Sequence, residues 1–336
     1  MDTLTHTVLG ACTGQIIAGK QIGKKAMLIG ALINNFPDLD MIANLWHSPA
    51  ESLLSHRGIT HSFFFMILSI PVLIWLFRLI FPSAILSWTR WFFLIVHGLA
   101  LHILLDACTT YGTGWFEPFS HYRVSFNTLF IIDPFFLLPL LLGAILLLIL
   151  KSENQMRTKI AGTALSLSML YLFATIVIKL YVDQTIQKEL KEQNMPHDSY
   201  AGTPTPMNNL LWYILVKEPN AYKAGYFSVL DKARVIRFES ISQNDSLLNG
   251  FEKNSDVATL KQFSKGFYSI ERLGGDTLCF SDLRFGPMTV TDISSQPAVF
   301  RFYIAPGKTD TAVAQMPFTK IKAEQFTSLY QRIKGQ

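Results

Sequence analysis

The sequence predicts a membrane all-α bundle of about six membrane helices, the first two short, followed by a small β-rich external domain. Composition is the first indication: half of the 336 residues are hydrophobic and 16% are charged, where soluble domains carry about a quarter charged residues. The division of charge is the second. Residues 1–180 hold 11 Lys/Arg and 8 Asp/Glu, whereas residues 181–336 hold 18 and 16, so a membrane-like part precedes a water-soluble part of ordinary domain size. Third, runs rich in β-branched and aromatic residues, punctuated by glycine and proline pairs, are confined to the later part.

Taken in chain order, the first apolar segments are Leu4–Ala18 and Ala26–Phe36. Both contain Gly, Ala or Thr, which permit close helix packing, and both are marginal in length for a full crossing. Ser62–Phe81 follows, with Pro71 and Arg78, and then Trp88–Ala107, whose Trp88 and Trp91 suit an interfacial belt. Leu129–Leu150 and Ile160–Leu180 are each about 20 residues, long enough to cross roughly 30 Å of hydrocarbon as helices. Gln184–Asn194 reads as a polar helical extension and Pro196–Pro206 as a linker. Beyond it, Tyr226–Leu230, Ala233–Phe238, Thr277–Leu283 and Ala298–Ile304 read as strands, with turns at Gly274-Gly275, Gly286-Pro287 and Pro306-Gly307, and a helix near Thr319–Ile333. The predicted organisation is a helical membrane domain over 1–183, an extension and linker over 184–206, and a β-rich domain over 207–336.

If all six segments cross, three connections and their helix ends on one side carry Lys20, Lys24, Lys25, Arg78, Arg90, Lys151, Arg157 and Lys159, while the opposite connections, 37–61 and 108–128, carry only Arg57 and Arg123. Positive residues favour the cytoplasmic side, which puts Met1, those two connections and the later domain outside. The opening residues lack the basic region of a cleaved signal peptide. A net charge of +5 comes without a basic run interleaved with aromatics, so nucleic acid is not an expected partner. Cys12, Cys108 and Cys279 are too few and too far apart for a disulfide framework or a CxxC zinc site.

Seven of the eight histidines lie within the first 121 residues. His6, the pair Asp38 and Asp40, the pair His56 and His61, and the pair His102 and Asp106 come from the start of segment one, the end of two, the start of three and the end of four. In an alternating bundle those places share one face. His102 and Asp106 are one helical turn apart and can reach one ion. A mixed imidazole and carboxylate shell suits Zn²⁺ first, with Mn²⁺ or Fe²⁺ as alternatives, and seven candidate ligands accommodate one or two ions. Arg57 is a planar donor for a phosphate or carboxylate. Thr60, in the same loop, and Asp133, which begins a span on that side, complete the catalytic set. A plain Pro-Asp turn competes for Asp38 and Asp40. His97 points elsewhere on its helix and reads as a satisfied interior histidine. His47, His121 and His197 read as loop residues, and Cys12 and Cys108 as packing residues.

Together these groups resemble the YdjM family of inner-membrane, predicted metal-dependent hydrolases: Met1-Asp2-x-x-Thr5-His6, Pro37-Asp38-x-Asp40, His56-Arg57-x-x-Thr60-His61-Ser62, and His102-x-x-x-Asp106 with Thr110-Tyr111-Gly112. The match covers about the first 135 residues. That family is distantly similar to zinc-dependent phospholipase C and related zinc nucleases, whose N-terminal tryptophan ligand and second histidine-glutamate helix have no counterpart here. The resemblance implies a multi-pass protein of the bacterial cytoplasmic membrane. It also implies metal-dependent hydrolysis of a phosphoester of a lipid-associated substrate, with the site near lipid headgroups; the charge pattern puts that site and the later domain on the external face. Two other classes compete: a non-enzymatic membrane scaffold with a structural metal, and a metal or proton transporter. A transporter would carry ionisable residues through the bilayer, where here only His97 and Lys179 lie well inside spans.

Overall fold

The computed structural model describes residues 1–219, 221–233, 235–251, 253–287, 290, 293, 296–306, 311–317 and 323–335. Helix α1 (Thr3–Ile22) starts at Asp2, whose carboxylate accepts from the Thr5 N–H at 3.0 Å and from its hydroxyl at 2.5 Å, satisfying first-turn donors. It ends at Gly23, whose φ of 60° turns the chain back into α2 (Lys25–Asn34). The two helices nearly touch backbone to backbone, because a Cβ on Gly10 would lie 2.4 Å from the Gly30 carbonyl oxygen and one on Gly14 would lie 2.1 Å from that of Ala26. At ten residues, α2 spans about 15 Å, too little to cross alone. A 3₁₀ helix, Pro37–Leu45, continues the chain to α3 (Pro49–Ser55).

Helices α4 (Phe63–Ile80) and α5 (Trp88–Ala107) are capped by the hydroxyls of Ser62 and Ser87. Helix α6 (Pro134–Ile149) starts later than the apolar run beginning at Leu129, because Asp133 caps it and Pro134 occupies its first position. Helix α7 (Met156–Glu192) runs 37 residues without a break, so the polar extension continues the last span. By length and composition α4, α5 and α7 can each cross a membrane. Helix α6 is apolar but has 16 residues, and α1 carries His6, Gln15 and Lys20.

Three turns meet at one end of the bundle. Lys24 of the α1–α2 turn reaches the Leu148 carbonyl, and Lys25 donates to the Ser83 hydroxyl in the α4–α5 turn at 2.8 Å. Arg157, buried at the start of α7, binds the Leu147 carbonyl, the Leu150 carbonyl at 3.0 Å and the Gln15 amide oxygen at 2.7 Å. At the other end, Asp2 donates to the Ile131 carbonyl at 3.2 Å and Gly114 to the Arg57 carbonyl at 2.8 Å. This is the alternation that the sequence pattern predicts. The bundle core has two clusters, one around Leu9, Cys12, Phe136 and Leu140, the other around Ile29, Ile33, Trp91 and Ile95.

Residues 43–54, 177–205 and 209–336 form a second compact unit. It contains two antiparallel four-stranded sheets, ordered β1-β2-β3-β4 and β5-β6-β7-β8. The first comprises β1 (Ser199–Pro204), β2 (Leu211–Lys217), β3 (Ala221–Ser228) and β4 (Phe238–Ser242). The second comprises β5 (Tyr268–Gly274), β6 (Thr277–Pro287), β7 (Ala298–Pro306) and β8 (Thr311–Gln315). Strand β2 is buried on both faces: Trp212, Ile214 and Val216 pack with Val182, Ile186 and Leu190 of α7, and Leu211, Tyr213 and Leu215 face Phe267 and Leu283. Helices α8 (Ser255–Phe263) and α9 (Ala323–Ile333) complete the unit.

Several expectations change. The stretch read as a linker over 196–206 contains β1, paired with β2 from Ser199↔Lys217 to Pro204↔Trp212. The strand expected over Ala233–Phe238 begins only at Phe238, because the Ile236 N–H donates to the Glu189 carboxylate at 3.0 Å instead of to a neighbouring strand. The turn at Gly274-Gly275 joins β5 to β6. Gly286-Pro287 sits within β6, where the register shifts and Gly286 has a φ of 58°. Gly307 and residues 319–322, parts of an expected turn and helix, lie outside the described residues.

Candidate metal centre

Each ligand candidate sits where local geometry delivers it to the same end of the bundle. Pro37 opens the 3₁₀ helix and places Asp38 and Asp40 in its first turn. The 56–62 loop turns at Arg57, whose φ of 57° is unusual for a residue with a bulky side chain. Its N–H donates to Asp40 Oδ2 at 2.9 Å, which holds that turn. A second short 3₁₀ turn, Ile59–His61, brings His61 inward, and His102 and Asp106 project from the last turns of α5.

Four atoms from these elements face one another. His61 Nε2 and His102 Nε2 are 3.0 Å apart. Asp38 Oδ1 is 3.4 Å from each of those nitrogens, and Asp106 Oδ2 is 3.3 Å from His61 Nε2 and 3.4 Å from His102 Nε2. Ligands about 2.0–2.1 Å from a tetrahedral Zn²⁺ stand about 3.3–3.4 Å from each other, so the four His–Asp edges fit that polyhedron, while the His61–His102 edge is shorter. The buried Asp106 Oδ2 has no hydrogen-bond partner, and Arg57 Nε, 3.1 Å away, approaches without hydrogen-bond geometry. The two facing imidazole nitrogens likewise have a common point to address. The donor set and its spacing therefore fit a divalent ion.

The flanking groups hold these ligands. Asp40 Oδ1 meets His56 Nδ1 at 2.9 Å, while Asp40 Oδ2 accepts from the Thr60 hydroxyl at 2.8 Å and lies 3.3 Å from His61 Nδ1. His6 Nε2 lies 3.0 Å from Asp106 Oδ1, and its ring stacks on His102 with centroids 3.8 Å apart. The Met1 amine also contacts Asp106 Oδ1. Asp38, Asp40 and His56 form a second group whose candidate ligand atoms lie within 4.8 Å of one another, with Asp38 shared between the two.

Electrostatics follow the geometry outside the spans. Burial would pull the His61 imidazole down, but the carboxylates of Asp106, Asp38 and Asp40 outweigh it and raise it to about 9. Burial would raise Asp38 and Asp40, yet hydrogen bonds from His102 and His61 to the first, and from His56 and His61 to the second, hold both well below the usual carboxylate range.

The expected catalytic residues have framework contacts. Arg57 is 2% exposed, and its guanidinium donates to the Thr109 hydroxyl at 2.8 Å and the Met1 carbonyl at 3.3 Å while facing Asp106. It is thus positioned beneath the cluster and does not reach outward as a clamp. Thr60 lies between Asp40 and His61, with its hydroxyl 2.9 Å from His61 Nδ1. Asp133 accepts from Phe135 N–H at 3.0 Å and from the Tyr171 hydroxyl at 2.9 Å, contacts belonging to α6 and α7. His97, expected to be interior, is exposed, with its Nδ1–H donating to the Phe93 carbonyl at 2.8 Å.

Residues that the sequence reading passed over lock the loop from below. Arg123 donates to the carbonyls of His56 at 2.9 Å and Gly112 at 3.0 Å. Tyr111 has the guanidinium carbons of Arg57 and Arg123 at 5.1 and 5.5 Å from its ring centroid and His56 edge-on at 5.4 Å. Tyr111 stood within a recognised motif, but nothing local marked its role, nor those of Thr109 and Arg123.

The sequence model of the YdjM inner membrane protein family matches residues 1–182. The inner membrane protein YbcI of Escherichia coli (strain K12) is 30% identical over 122 residues, which cover 36% of this chain and 69% of that protein. No solved structure matches.

Proposed function

Because the chain belongs to the YdjM inner membrane protein family, we propose that it is a membrane-embedded, metal-dependent hydrolase acting on a phosphoester of a lipid-associated substrate. The observation that carries this reading is the cluster of His61, His102, Asp38 and Asp106 donor atoms at tetrahedral spacing. Those four residues would hold the ion, zinc in the first instance, and Asp38, Asp40 and His56 would take a second where one binds. A divalent ion there supplies a bound water of lowered pKa and polarises an ester oxygen.

The chain's own residues set the access and the scaffold. His61, His102 and Asp106 have fully buried side chains, whereas Asp38 is 14% exposed, so a substrate approaches from the Asp38 side. Beside Asp38 the 3₁₀ helix presents Leu39, Met41 and Ile42, each more than half exposed. That apolar lip suits an acyl chain or a bilayer surface and supports a lipid-associated substrate, a phosphoester in keeping with the analogy to phospholipase C. In this reading Arg57 fixes Asp106, Thr60 fixes Asp40 and His61, and six traverses place the centre on the external face.

One observation favours a second reading. Three of the four ligand side chains are completely buried, and structural zinc sites are closed whereas catalytic sites keep an open position. Under that reading the ion stabilises a scaffold.

Elemental analysis and hydrolysis assays on one preparation separate the two. Purified protein should carry about one ion per chain by this ligand count, with turnover on some member of a phospholipid headgroup panel. His102→Ala and Asp106→Ala should lose metal and turnover together. Metal without turnover on any panel member supports the scaffold, and wild-type metal content in both variants sinks the centre itself.

A further inference from the structure

A cavity of about 400 Å³ opens among α1, α5 and α7, near the bundle end opposite the histidine and aspartate cluster. Its wall is graded along the helix axes. Lys20 and Gln21 come from the last turn of α1, Arg90 from the first turn of α5 and Thr158 from the first turn of α7, all close to the end where the turns meet. Deeper in the bundle the wall is Ile16, Ile17 and Phe93, with His97 beyond them. Arg90, Phe93 and His97 form one stripe of α5 at helical spacing, about 10 Å long.

The charge of this cavity is one-sided. None of its lining residues is acidic, and neither Lys20 nor Arg90 has an ion-pair partner among the described residues. Lys20 is exposed and Arg90 half-buried. In a chain that crosses a bilayer, the polar rim falls at headgroup depth and the apolar wall at acyl depth. Two cations at the rim and isoleucine and phenylalanine below match an amphiphile with an anionic head and a hydrocarbon tail.

We propose that this cavity binds an anionic phospholipid of the adjoining leaflet, its phosphate on Lys20 and Arg90 and an acyl chain along Ile16, Ile17 and Phe93. Basic residues near an anionic membrane surface each strengthen its binding, and here both address one phosphate. The site is independent of the metal centre, about 24 Å away along α5 as measured by the rise from Arg90 to Asp106, so it stands or falls separately from the proposed hydrolysis.

Native mass spectrometry of the full-length chain, delipidated and titrated with phosphatidylglycerol or phosphatidylcholine, tests this. Retention of phosphatidylglycerol should exceed that of phosphatidylcholine, and the double variant Lys20→Gln/Arg90→Gln should weaken it by roughly tenfold or more. Lys151→Gln/Lys159→Gln removes the same charge from exposed positions at the same end and should leave retention unchanged. Inorganic phosphate in excess should not displace the lipid, since it lacks the tail. Equal loss in both double variants, equal retention of the two lipids, or displacement by free phosphate would each overturn the proposal. A melting temperature unchanged in Lys20→Gln/Arg90→Gln confirms that lost retention reports the cavity.

Discussion

Asp106 faces five groups at once: the Met1 amine, His6, Arg57, His61 and His102. A buried carboxylate needs such company, because an unpaired charge away from water costs several kcal/mol. Arg57 supplies the fixed positive charge, and its other nitrogens are held by Thr109 and Met1. Arg57→Lys keeps the charge but loses the fork that binds both Thr109 and Met1 while facing Asp106. It should therefore lower both metal retention and melting temperature, and Arg57→Ala should cost about 3–5 kcal/mol of stability as expected when a buried pair loses one member. An outward-facing clamp would instead leave metal content untouched in Arg57→Lys, so elemental analysis of that variant decides between the roles. His61 yields a pH prediction. Its imidazole is raised from 6.5 to about 9 in the metal-free fold. Its protonated form thus stabilises that fold fully below pH 6.5, and the contribution is lost as pH rises through about 9. An ion needs the neutral ring, so zinc binding near neutrality should release a proton from His61, and the release should fade above about pH 9. Calorimetric titration in buffers of different ionisation enthalpy counts those protons. A count that stays constant between neutral pH and pH 10 would show that His61 is not the displaced ring.

The α1–α2 hairpin depends on missing side chains. A Cβ on Gly30 would stand 2.2 Å from the Gly10 carbonyl oxygen, and backbone atoms cannot yield as a flexible side chain can. Gly10→Ala or Gly30→Ala should push the helices apart at the cost of overpacking, about 1–3 kcal/mol or more. Because α1 carries His6 and the chain after α2 carries Asp38, each variant should also weaken metal retention, whereas Gly162→Ala, with open space around it, should not. Thermal melts and metal content of the three variants check this. The same elements show what the sequence could and could not reveal. Apolar segments with small residues marked the helices, and alternation alone brought His6, Asp38, His61, His102 and Asp106 to one end. The division of labour among them was not legible. His56 and His61 look equivalent in a short loop, yet only His61 Nε2 enters the four-atom cluster, because the 3₁₀ turn at Ile59–His61 points it inward. Arg57 looked like a free donor because its burial depends on Thr109 and Tyr111, residues about fifty positions away. Strand β1 looked like a linker because its Pro, Gly and Thr suit loops, and pairing with the fully buried β2 overrides that preference.

At the scale of the whole molecule, the bundle ends differ in kind. One end gathers the turns bearing Lys24, Lys25 and Arg157, and the other gathers the histidines and aspartates. Met1 and Asp38 lie at the same end, since Arg57 and Asp106 contact the first and His61 and His102 the second. The short α2 therefore does not upset the alternation, since the chain directly after it reaches the cluster at Asp38. Helix α7 starts at the lysine-bearing end and, at 37 residues, extends about 55 Å, well beyond the roughly 30 Å of hydrocarbon. A single crossing by α7 puts the residues after it on the face opposite the lysine-rich turns. If the excess of Lys and Arg in those turns keeps them in the cytoplasm, the later domain and the metal centre are both expected on the external face. Protease added to intact spheroplasts should then remove residues beyond about 185 and leave the helical core. A membrane-impermeant chelator should strip the ion from the same intact spheroplasts, because Asp38 opens toward that face. Protection of both the domain and the metal until lysis would reverse the orientation. Cleavage of the domain with a protected metal would mean that α7 crosses as argued while the cluster is sealed from its own face, the outcome expected of a structural ion.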